Sequence, residues 1–181
     1  ALKDVQCHLV QLPGFAGAAP ADPRPAEFLT AMRGQLLAYL HDQQLGPVVV
    51  IGHSLGGLLG LQVAQAEPKA VSALVVVDAL PFLPAARDPN ATADSVRPMA
   101  DHLRKGMLAA DAAQWQAQLK AGLPGMTRDP QRQAELGRWG EASDRQTTAD
   151  AMHAVMTTDL RDSIASITAP TLVLGSWAGY Q

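Results

Sequence analysis

The chain has 181 residues, 14 Lys and Arg against 17 Asp and Glu for a net charge of −3, and 48% hydrophobic residues. That balance suits one globular unit with enough apolar surface for a core, and it gives no electrostatic basis for binding nucleic acid or an anionic membrane. A single cysteine, Cys7, excludes an intrachain disulfide and a thiolate metal cluster, and no apolar run approaches the ~20 residues that a membrane-spanning helix needs.

Val5 to Leu12 alternates, is rich in β-prone residues and stops at Pro13-Gly14, which predicts a strand followed by a loop. Cys7 within it reads as a small buried hydrophobe. The tract "AGAAPADPRP" is coil. Between Ala26 and Gln43, Leu29, Met32, Leu36 and Leu40 recur at helical spacing and mark one buried face. Gly46-Pro47 ends that helix, and the continuous apolar run Val48 to Ile51 suits a central strand buried on both faces. Leu55 to Ala66 predicts a helix halted near Pro68, and Ala73 to Val77 a second buried strand ending at Asp78. This alternation of strands and helices predicts an α/β layered fold.

After Pro81 the composition changes. Residues 84–165 hold no strand-like run, only helical segments at about Asp94–Ala110, with Pro98 near its first turn, Asp111–Ala121, Asp129–Trp139 and Thr147–Thr157. Strand character returns at Ala169 to Gly175. The expected division is therefore 1–83 as the core, 84–165 as a helical cap and 166–181 as the return strand of the core. In the cap, Met99, Met107, Met126, Met152, Met156, Trp115 and Trp139 serve either as core or as an adaptable inner face for an acyl or aromatic group. Asp159 and Arg161, near its end, read as structural.

Gly52-His53-Ser54-Leu55-Gly56 matches G-x-S-x-G, and it lies between a predicted strand and a predicted helix, where the chemistry of that pattern needs it. So sharp a turn brings the residues flanking the serine against neighbouring backbone, which only glycine tolerates. The serine hydroxyl would project from the strand's carboxyl end. The Leu55 N–H, in the first turn of the helix, would face the oxyanion formed at an attacked carbonyl. The plainer alternative is a glycine-rich helix entry with an incidental serine. A phosphate loop would end in G-K-[ST], and this segment does not.

The stretch "VVVIGHSLGGLLGLQVAQAEPKAVSALVVVDALPF" resembles the nucleophile-elbow region of the α/β-hydrolase fold superfamily. "CHLVQLPGFAG" resembles the strand and loop that precede it there, and "SITAPTLVLGS" the strand that follows the cap. The resemblance implies a mainly parallel sheet flanked by helices, with an inserted helical cap. With serine rather than aspartate at position 54, it implies esterase-like chemistry through an acyl-enzyme. The substrate implied is a small apolar ester or related acyl compound, with no cofactor and no metal.

In the superfamily the catalytic acid commonly follows the strand equivalent to "PTLVLG", but here that loop reads "SWAGYQ" and has no carboxylate. Some members carry the acid one strand earlier, where this chain has Asp78. Asp78 is thus the favoured acid, the alternatives being a turn-capping role for it or an acid beyond Gln181. The catalytic histidine is expected beyond Gln181. His53 lies in the elbow beside the oxyanion site, while His8, His41, His102 and His153 read as surface or packing residues. A second oxyanion donor is expected from a loop before Ala1. Gly14 and Gly17 belong to a different loop, with Phe15 a candidate for a pocket wall. On this reading the segment holds the nucleophile and the acid of a longer enzyme and does not turn over substrate alone. Two rivals remain: a C–C bond hydrolase, lactonase or lyase on the same fold, and a non-catalytic binding protein that has kept the fold.

Overall fold

Three parallel strands, β1 (Val48–His53), β2 (Val71–Val77) and β3 (Thr171–Leu174), form a sheet in that order, in a computed structural model that describes residues 4–175. α1 (Phe28–Asp42) precedes β1, α2 (Leu55–Ala66) joins β1 to β2, and four helices lie between β2 and β3. These are α3 (Ala93–Ala109), α4 (Ala112–Met126), α5 (Pro130–Ala142) and α6 (Arg145–Thr157). No helix among the described residues is long and apolar enough to cross a membrane.

The core is built around α2. Its Leu58, Leu59, Leu61, Val63 and Ala64 are buried against Leu74 and Val76 of β2, Leu29 and Met32 of α1, and Ala151 of α6. A Cβ on Gly60 would stand 3.0 Å from Leu74 Cδ1, so the bare backbone there lets the helix lie close on the sheet. α1 and α6 pack on α2, on the same side of the sheet. β1 therefore has one covered face. Val49 and Ile51 are 58% and 72% exposed, so the expected burial on both faces does not occur. In the register Ile51–Val75–Leu172, these side chains share the open face with Leu172 and Leu174. A continuous apolar run becomes a doubly buried strand only where helices cover both sides.

The predicted strand over Val5 to Leu12 is also absent: the segment is extended coil, Cys7 is exposed and Leu9 is 98% exposed. Alternation supplies two faces, but a strand forms only on a partner's free edge, and no described strand lies beside this one. The segment is pinned at His8, whose Nδ1 lies 2.6 Å from the Tyr39 hydroxyl on α1.

The helices between β2 and β3 start where side-chain oxygens can cap them. Thr92 and Ser95 form a reciprocal capping box on α3, and Asp111 and Gln114 form another on α4; Asp129 caps α5 and Asp144 caps α6. α3 starts at Ala93, so Pro98 sits in the helix interior, past the first turn. α4 runs beyond the predicted Ala121 through Pro124 to Met126. Both prolines lie on exposed stretches, where water can take the carbonyl that loses its N–H partner.

These helices divide into two pairs. α3 packs along α6 and α4 along α5, and α6 itself rests on α1 and α2. The α5–α6 junction is latched to the Pro13–Gly17 loop. Asp144 N–H donates to Gly14 O at 2.7 Å, Gly17 N–H to Ala142 O at 3.1 Å and Ala16 N–H to the Ser143 hydroxyl at 2.9 Å. Gly14 has φ +83°, and a Cβ there would strike the Thr147 side chain, so only glycine fits.

Candidate active site

β1 ends at His53 and α2 begins at Leu55, so the chain reverses through one residue, Ser54. Its backbone has φ 50° and ψ −116°, a conformation that costs a non-glycine residue about 1–3 kcal/mol. The surroundings hold it there. Ser54 N–H donates to Val77 O at 2.9 Å, which carries the β1–β2 ladder into the turn. Ser54 O accepts from Gly57 N–H at 2.9 Å and Leu58 N–H at 3.1 Å, which starts the helix. The hydroxyl is not used as a helix cap, and the residue is exposed.

Glycine is needed at two places in the turn, one of them the expected Gly52 and the other Gly57 instead of Gly56. A Cβ on Gly52 would lie 2.1 Å from Gly56 O and 2.6 Å from Gly57 N. On Gly57 it would lie 2.7 Å from Ala79 Cβ and 3.1 Å from Gly52 O. Gly56 meets nothing within 4 Å. The close approach therefore belongs to Gly52 and Gly57, and Gly56 is the partner that Gly52 approaches. The doublet Gly56-Gly57 was the visible signal, but the pattern weighs only its first member.

Asp78 follows β2 directly and repeats the turn of Ser54 one strand over. It also has φ 50°, and its N–H donates to Leu174 O at 2.8 Å on β3. Because His53 pairs with Val77, Ser54 and Asp78 occupy adjacent strand tips at the carboxyl edge, about 5 Å apart by the ordinary spacing of paired strands. Both residues are exposed. Leu55 is the first residue of α2, so its N–H has no acceptor within the helix and sits at the positive end of the helix dipole.

The histidines lie elsewhere, apart from His53, the exposed last residue of β1. His8 is held by Tyr39, His153 Nε2 lies 2.9 Å from Asp101 Oδ1, and His41 Nε2 is 3.9 Å from Glu67 Oε1. His102 is exposed on α3. No described histidine hydrogen-bonds the Ser54 hydroxyl. Phe15 packs edge-on to Phe28, with ring centroids 6.2 Å apart, against the main core; its wall is a core wall. Among the described residues no cluster of three or more His, Cys, Asp or Glu could hold a metal ion. The residues "SWAGYQ" and Ala1 lie outside the described residues.

The methionines and tryptophans of residues 84–165 differ in burial. Trp115 is 8% exposed beneath the Arg145 guanidinium, 5.3 Å from its ring centroid, while Met99, Met126, Met152 and Trp139 are exposed. Arg24 and Thr147 hold the Asp144 carboxyl well below the usual carboxylate range, and Arg161 lowers Asp159.

An exposed serine on a strained one-residue turn, at a helix N-terminus and beside a carboxylate on the next strand tip, is an arrangement suited to nucleophilic attack on an acyl carbon. Known proteins bear on it at three levels. A stretch of 79 residues is 37% identical to "Putative carbamate hydrolase RutD" of Klebsiella pneumoniae (strain 342), covering 43% of this chain and 30% of that protein. The protein of the same name from Yersinia enterocolitica is 28% identical over 152 residues, 81% of this chain and 51% of its own length. The chain thus spans about half, or less, of the curated relatives it matches. The esterase EaEST from Exiguobacterium antarcticum superposes with a TM-score of 0.72 at 20% identity, over 88% of this chain and 59% of that one, a likeness of fold. The model of the "Alpha/beta hydrolase family" matches residues 1–179, which places this chain in the α/β hydrolase family.

Proposed function

We propose that this chain carries the nucleophile and acid of a serine hydrolase that cleaves carboxylic esters or related acyl compounds through an acyl-enzyme. The observation that carries the reading is the exposed Ser54 at φ 50° and ψ −116°, in register with Asp78 at the neighbouring strand tip. The Ser54 hydroxyl attacks the acyl carbon while its proton passes to an imidazole, and the Leu55 N–H stabilises the oxyanion. Asp78 orients that imidazole and balances the charge it gains. Collapse of the tetrahedral intermediate expels the alcohol, which takes the proton, and water then releases the acid by the same route. The reading assigns the nucleophile and the acid to described residues and the imidazole to none of them.

The names of the relatives agree with this reaction class. A carbamate and a lipid ester both present an acyl carbon to the same attack, and the 43-residue match that is 51% identical to "Lipase LipV" of Mycobacterium tuberculosis supports the ester side. Residues 84–165 serve as the cap over the sheet edge, with exposed Met99, Met152 and Leu103 favouring an apolar acyl group. The test is a fluorophosphonate probe on the full-length protein. Labelling should map to Ser54 and vanish in Ser54→Ala. A wild type that is folded yet unlabelled would end the reading in favour of a non-catalytic protein.

A further inference from the structure

One guanidinium ties the two ends of the 84–165 excursion together. Arg161 Nη1 donates to Pro89 O at 3.0 Å and Nη2 to Ala91 O at 2.7 Å, while Nε and Nη2 reach the Asp159 carboxylate at 2.6–3.1 Å. The Arg161 Cζ also lies 4.7 Å from the centroid of the Phe82 ring, and Phe82 is fully buried. Beside it, Leu160 N–H donates to Pro81 O at 2.9 Å. An ion pair between residues two apart would contribute little by itself. Here the planar fork of an arginine serves a carboxylate, two carbonyls and a ring face at once, which an ammonium cannot do.

The segment being held starts at Asp78. At its near end the Asp78 N–H is fixed to Leu174 O; at its far end Pro81 and Phe82 are fixed by Leu160 and Arg161. A residue at φ 50° keeps that conformation only while both ends are anchored. We propose that Arg161 is a positioning residue for the reaction: through Phe82 and the 89–91 carbonyls it sets the path of the Asp78–Phe82 loop and thereby the placement of the Asp78 carboxylate. This rests on the reading of Asp78 as the acid.

The experiment measures the fluorophosphonate labelling rate of the full-length protein against pH for wild type, Arg161→Met, Arg161→Lys, Asp159→Asn and Asp78→Asn, with the Tm of each. An aspartate beside the imidazole raises its pKa, so a displaced Asp78 moves the rise in rate to lower pH and lowers the plateau. Arg161→Met should lower the plateau about 10–100-fold, the scale of an ångström-level misplacement, and shift the profile in the direction of Asp78→Asn. Arg161→Lys should recover only part of the loss. Should Arg161→Met fail to fold, Asp159→Asn, which keeps the arginine but loosens it, should show the same shift at smaller size. If Asp78→Asn is altered while Arg161→Met or Asp159→Asn merely lowers Tm at an unchanged profile, the positioning role is overturned. If Asp78→Asn itself labels like wild type, the acid assignment falls instead.

Discussion

Replacing Gly52 by alanine tests the geometry of the elbow directly. The added methyl would stand 2.1 Å from Gly56 O, 2.4 Å from Gly56 C and 2.6 Å from Gly57 N, against the 3.5–4.0 Å of an ordinary carbon contact. All three atoms are backbone, so no rotamer change relieves the clash and the first turn of α2 must move by about 1 Å. Over-packing of this kind costs about 1–3 kcal/mol, and the rigid neighbours put Gly52→Ala at the upper end. Gly56→Ala meets nothing within 4 Å and lies in a helix, where alanine gains up to about 1 kcal/mol over glycine. Urea unfolding of the full-length protein reads both. With a slope of ~2 kcal/mol/M, the first variant should lose about 1.5 M in midpoint and the second should match or exceed wild type. Fluorophosphonate labelling should fall with Gly52→Ala, because the Leu55 N–H moves with the helix. Equal losses from the two substitutions would refute the steric account and restore the symmetric reading of the motif.

Five further substitutions address the packing of the fold. Asp144 accepts from Arg24 at 2.6 and 3.1 Å and from the Thr147 hydroxyl at 2.7 Å, and its pKa is depressed in the fold chiefly by Arg24. Its stabilisation is therefore fully present above the ordinary aspartate pKa of ~3.9 and is lost as pH falls toward the depressed value. Asp144→Ala should cost about 1–2 kcal/mol at pH 7, and the Tm gap to wild type should narrow progressively as pH falls below about 4. Leu74→Ala, at a fully buried site, should cost about 2–5 kcal/mol in denaturant unfolding, whereas Ile51→Thr on the open sheet face should stay within about 1 kcal/mol. Trp115→Ala should cost about 3–5 kcal/mol, and Trp139→Ala, at a half-exposed site, less than about 1 kcal/mol in the same assay.

The parts of this fold that punctuation marks were legible. Leu55–Ala66 is a helix with the bounds that its flanking serine and proline imply, and β2 ends at Val77, just before the polar Asp78. Read locally, Ser143-Asp144 before α6 was an available cap signal, though the periodicity places the start only at Thr147. What depends on a neighbour was not legible. The alternation of Val5 to Leu12 and the apolar run of β1 describe what each segment could bury, and the missing partner and uncovered face decide that they do not. The Arg24–Asp144 pair spans 120 residues and Arg161 reaches Ala91 across 70, so neither leaves a trace in local composition.

The same distinction separates Gly52 from Gly57. Gly52 answers a local demand, since its clash is with the next turn of its own chain. Gly57 answers a distant one, since a methyl there would strike Ala79, the residue after Asp78, as well as Gly52 O. The bare backbone at Gly57 is thus where the Ser54 turn and the Asp78 turn touch. Each turn holds a residue at φ 50°, at about 1–3 kcal/mol apiece, in a fold whose total stability is ordinarily only about 5–15 kcal/mol. Two such conformations at adjacent strand tips persist because each is fixed by a ladder bond, to Val77 O and to Leu174 O, and because the two loops pack on one another at Gly57. The spacing between the proposed nucleophile and the proposed acid is therefore set by the sheet on one side and by the missing side chain at Gly57 on the other.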